Sequence, residues 1–95
     1  MRTDDDVKFM CDNPIPIHLD NPAAMRFMRT FAAARTEVAS YRNSNITAVV
    51  VFDGATYYML ATAPGKGVSY GLATDDEEDV DRWMKPIHLY RLLGV

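Results

Sequence analysis

The sequence predicts an α+β fold. The expected parts are a three-stranded antiparallel β-meander at about 46–73, a long N-terminal amphipathic helix at about 22–42 and a C-terminal acidic helix at about 75–85. Three observations carry that reading. Residues 46–52 and 55–62 are rich in β-branched and aromatic side chains and flank Asp53-Gly54, a strong short hairpin signal. Phe27, Phe31, Ala34, Val38 and Tyr41 recur at helical spacing. Thr74-Asp75-Asp76-Glu77 has the form of a capping box, with Thr74 as N-cap and Glu77 reaching back.

The chain begins with residues 1–6, which carry three aspartates and are expected to be a disordered acidic head. Val7, Phe9 and Cys11 alternate with Lys8, Met10 and Asp12, the pattern of a short strand. Pro14 and Pro16 then restrict residues 13–19 to an extended or edge segment. Asn21-Pro22 is a helix start, with Asn21 as N-cap and Pro22 at the first helical position. The long helix that follows is expected to end at Asn43, which tolerates the left-handed conformation.

A two-residue turn at Asp53-Gly54 sets Phe52 opposite Ala55, Val50 opposite Tyr57 and Ala48 opposite Met59. Residues 64–67, Pro-Gly-Lys-Gly, make a second reversal, and residues 68–73 form the third strand. One sheet face then holds Ile46, Val50, Phe52, Tyr57, Met59, Tyr70 and Leu72, and is expected to seat the long helix. The other holds Val49, Val51, Tyr58 and Leu60 among threonines, Ser69 and Gly71. It is too apolar for a face washed by water, so either the C-terminal helices or the N-terminal segment cover it, or a partner does. Beyond the acidic helix, Pro86 starts either a second short helix, favoured by Leu89, Leu92 and Leu93, or a final strand.

Composition narrows the function classes. The 95 residues form a single small domain, long enough to bury roughly 60–65% of the unfolded surface without staples. Apolar residues make up 48% and charged residues 24%, an ordinary balance for a soluble protein. A net charge of −3 argues against bulk attraction to nucleic acid or to an anionic membrane. The lone cysteine, Cys11, fits a reducing compartment, most simply a cytoplasm. No apolar run is long enough to span a bilayer. Small acidic domains of this kind are common among virus-encoded proteins, an association and not a physical argument.

Each candidate for chemistry has a plainer reading. Gly65-Lys66-Gly67 joins two strands, whereas a phosphate loop opens a helix, so it reads as a hairpin turn. Cys11, Asp12, His18 and His88 lack any ligand spacing for a metal, and Asp12 beside Cys11 opposes thiolate formation. Neither a cofactor motif nor a catalytic constellation emerges, which leans against an enzyme. The acidic run Asp75, Asp76, Glu77, Glu78, Asp79 and Asp81 reads as a solvated helix start or as a docking surface for a basic partner. Arg26, Arg29, Arg35 and Arg42 form its basic counterpart on the first helix.

The strongest candidate is the apolar back face. The sequence therefore predicts a non-enzymatic protein–protein interaction module of the small inhibitor or adaptor type, docking to a protein partner or to itself as a homodimer. Its expected contact residues are Val49, Val51, Tyr58 and Leu60, with Arg26, Arg29, Asp75, Asp76, Glu78 and Asp79 on the helices. The alternatives are a nucleic-acid binder using the arginines of the first helix, and a small enzyme or ligand-binding domain with a pocket between helix and sheet.

Overall fold

The computed structural model describes residues 14–18, 20–34 and 36–95. The acidic head, the strand expected at residues 7–11, Cys11, Asp12 and Arg35 lie outside the described residues. The fold is α+β. In order come β1 (Ile15–Pro16), α1 (Pro22–Ala33), β2 (Thr36–Arg42), β3 (Thr47–Phe52), β4 (Tyr57–Ala63), a 3₁₀ turn (Pro64–Lys66), β5 (Val68–Thr74), α2 (Glu77–Trp83) and α3 (Pro86–Leu93). The five strands form one antiparallel sheet in the order β1-β5-β4-β3-β2.

The expected three-stranded meander is thus the middle of a five-stranded sheet, and the expected helix at 22–42 is two elements. Asn21 caps α1 as expected, its Oδ1 accepting from the Ala23 and Ala24 N–H groups at 2.9 and 3.4 Å. The helix stops at Ala33, where Ala34 turns extended. Thr36–Arg42 then pairs along β3. Val38 and Tyr41 fit a helical stripe in sequence, but β-branching and the open side of β3 favour the strand. A bulge between Glu37 and Ala39 sets Val38 outside the regular ladder.

Both hairpins on β3 use the same device. Asn43 Oδ1 accepts from the N–H groups of Asn45 and Ile46 at 2.8 and 2.9 Å. Asp53 Oδ1 accepts from those of Ala55 and Thr56 at 2.9 and 2.8 Å. Each side chain thereby holds a two-residue loop closed. Asn43 is a hairpin anchor here, not a helix stop. In the second loop the Asp53 N–H donates to the Thr56 carbonyl at 3.2 Å, so the turn is centred on Gly54-Ala55, with Gly54 at a φ of 102°, and not on Asp53-Gly54. Observed pairs are Phe52 with Tyr57, Val50 with Met59 and Ala48 with Ala61. The register differs from expectation by two residues, which leaves every side chain on its predicted face because the strand period is two.

The seating of the helices is the main correction. Ile46, Ala48, Val50, Met59, Ala61, Ala63 and Leu72 are buried, but beneath Val80, Trp83, Leu89 and Leu93 of α2 and α3. The first helix lies on the opposite face, where the Phe27 ring meets Tyr58 edge-on at 6.0 Å. The acidic helix also begins later than expected. Asp76, not Thr74, is its N-cap and accepts from the Glu78 N–H at 2.9 Å. Thr74 instead accepts the Asp76 N–H at 3.1 Å and donates its hydroxyl to Asp79 Oδ2 at 2.6 Å. After Pro86 the chain is helical, ending at Gly94 in the left-handed conformation.

Candidate functional site

Among the described residues, the back face of the sheet is only partly covered. The first helix starts beside β1, where the Asn21 N–H donates to the His18 carbonyl at 3.1 Å. It ends beside the β3–β4 hairpin, where Ala33, Ala34, Thr36, Phe52, Asp53 and Gly54 line an open hollow of about 500 Å³. Its path lies over β1 and β4. Phe27 fills the position that a side chain at Gly71 would take. Val51 is buried, at 7% exposure. Thr47, Val49, Tyr58, Leu60 and Thr62 all keep part of their surface in solvent, and Ser40 and Arg42 on the adjoining β2 are exposed. The result is a half-apolar corner bordered by the terminal strand of the sheet.

The two margins of the sheet differ. On one side β1 is two residues long and ends in Pro16, a short, proline-blocked edge. On the other, β2 runs seven residues without proline or lysine. The Asn43 N–H donates to the Ile46 carbonyl at 3.0 Å, so by antiparallel alternation Tyr41 and Ala39 bond to β3 while Ser40 and Arg42 point their backbone groups outward. Val38 is 45% exposed beside them.

Charge is divided between the two ends of the strands. Thr36, Phe52, Tyr57 and Thr74 form one row across the sheet. Glu37, Asp53 and residues 75–78 lie at that end. Asp53 is held below the usual carboxylate range by the N–H groups of Thr56 and Ala55, with a smaller contribution from the Tyr58 hydroxyl. Arg42, Thr47, Thr62 and Ser69 form the row at the other end, next to Lys66.

The remaining candidates fall into place individually. Arg26 and Arg29 are exposed on α1, on the opposite side of the sheet from the acidic helix. Asp75 and Glu78 are exposed at the start of α2, whereas Asp79 is 4% exposed and turned inward to Thr74 and to Arg82 Nη1 at 3.7 Å. The Gly65-Lys66-Gly67 segment joins β4 to β5, and Lys66 Nζ donates to the Gly94 carbonyl. His18 is exposed, while His88 Nδ1 lies 2.6 Å from the Arg82 carbonyl and ties α3 to α2. No group of three potential metal ligands occurs among the described residues, and no described helix is long and apolar enough to cross a membrane.

Sequence reasoning found the apolar residues of the corner but missed β2 itself. The available signal was Thr36, Val38 and Tyr41, strand-favouring residues at the end of an alanine-rich helical run. Comparison with family models, with curated proteins and with solved structures found no match.

Proposed function

We propose that this chain is a non-enzymatic protein–protein interaction module, of the small inhibitor or adaptor type, that docks through the uncovered corner of its sheet. The observation that carries the reading is the long terminal strand β2 beside the partly exposed Val49 and Leu60. Among the described residues β2 has no neighbour on its outer side; such a margin offers main-chain hydrogen bonds, and adjoining apolar side chains supply area. The opposite charges at the two strand ends steer the approach. Among the residues expected from sequence, Val51 and Asp79 are buried and hold the fold. Val49, Tyr58 and Leu60 with the exposed Arg26, Arg29, Asp75 and Glu78 remain available to a partner.

The test is recovery of the tagged protein from native lysate, with the mass of the complex measured by light scattering. Val49→Glu and Leu60→Glu together are expected to abolish the complex while the far-UV spectrum is unchanged. A complex that forms equally well with both carboxylates in place contradicts the proposal.

A further inference from the structure

The docking reading leaves the partner open, and the strand margin itself bears on its identity. We propose, on the basis of that reading, that the partner is a second copy of this chain, joined antiparallel along β2 with Ser40 opposite its own counterpart. The two sheets then become one continuous sheet of ten strands.

Symmetry limits the register, and the outward backbone groups and the charges choose within it. A two-fold axis through an antiparallel strand pair must set each residue opposite one on the same face, with the central residue facing itself. A closely spaced pair of hydrogen bonds at the axis needs a central residue that directs its backbone groups outward. Ser40 does, one residue from the midpoint of Thr36–Arg42, and the bulge takes Val38 out of the regular ladder. With Ser40 at the centre, Arg42 lies opposite the other copy's Val38 and beside its Glu37.

Charge complementarity favours this pairing. Glu37, Ser40 and Arg42 pair with Val51, Val49 and Thr47 of β3 and so share one face. The pairing sets each Arg42 within reach of the other copy's Glu37, twice over by symmetry. It also brings the end bearing Arg42 and Lys66 against the end bearing Glu37 and Asp53. A parallel pairing would set like ends together. The Arg42 stem covers the exposed Val38, and the corner around Val49 and Leu60 continues into the other copy's. Among the described residues the opposite margin is short and ends in proline, and offers no equivalent strand.

A contact along seven residues is smaller than a standard interface, so the association depends on concentration. Sedimentation equilibrium of the full chain over a dilution series up to about 1 mM is expected to show monomer giving way to dimer. Glu37→Arg or Arg42→Glu alone is expected to move the midpoint to roughly tenfold higher concentration, since symmetry doubles each change. The double reversal is expected to restore it. Ser40→Pro removes an outward N–H and blocks the second copy without touching the β2–β3 ladder. Its monomeric mass is read with its far-UV spectrum, and where it unfolds the charge reversals decide.

A wild-type chain that is monomeric throughout overturns the proposal, and the docking reading is then judged on Val49 and Leu60 alone. A dimer indifferent to both charge reversals overturns it as well, placing self-association elsewhere.

Discussion

Gly71→Ala is the sharpest test of where the first helix sits. A Cβ built on Gly71 lies 2.7 Å from Phe27 Cε1 and 2.8 Å from Cδ1 and Cζ. Carbon atoms in favourable contact are about 3.5–4.0 Å apart. The ring cannot easily yield, because Phe27 is 5% exposed and already packed against Phe31 and Tyr58. Overpacking of this kind costs about 1–3 kcal/mol. Against it stands the gain from replacing glycine inside a strand, about 0.5–1 kcal/mol. The difference is a net loss of about 0–2.5 kcal/mol, centred near 1 kcal/mol, at about 4–8 °C in Tm per kcal/mol for a domain of this size. In a Phe27→Leu background the ring is gone and the same substitution should cost little. Chemical denaturation of the four-protein cycle measures this coupling. An equal loss in both backgrounds refutes the packing of α1 on β5, and with it the geometry of the uncovered corner.

Two further outcomes follow from the polar contacts. Thr74→Val removes the hydroxyl that donates to the buried Asp79 and accepts the Asp76 N–H. A loss of about 1–3 kcal/mol is expected in urea denaturation, and an unchanged midpoint would show that the hydroxyl does not hold α2 in place. Asp53 is depressed in the folded chain, so its contribution is fully present above the usual carboxylate range and is lost as pH falls through its lower folded value. The Tm gap between wild type and Asp53→Ala should therefore shrink on acidification, and a gap independent of pH contradicts the assignment.

The sheet faces were legible because alternation survives an even slip in register. Centring the β3–β4 turn on Asp53-Gly54 shifts the expected pairing by two residues, yet Val50, Met59 and Leu72 stay together and Val49, Val51 and Leu60 stay opposite them. The division of the long helix was not legible, because Phe27, Phe31, Ala34, Val38 and Tyr41 satisfy helical spacing while only the first two belong to a helix. What decides between helix and strand for Thr36–Arg42 is the free side of β3, a tertiary fact. Which face received α1 was written in a single residue. Gly71, midway along an apolar strand, marks a place where something approaches closely, and that something is Phe27. The apolar half of the candidate site was readable for the same reason as the faces. The strand margin was hidden with β2.

Amide hydrogen exchange along β2 tests most directly whether that margin is a docking strand. Ala39 and Tyr41 bond to β3, and their N–H groups should be protected at every concentration. Those of Ser40 and Arg42 point outward. They are expected to exchange fast in dilute protein and to slow progressively as concentration rises. Fast exchange at Ser40 and Arg42 at all concentrations, with the corner of Val49 and Leu60 equally indifferent to added protein, would contradict docking along β2.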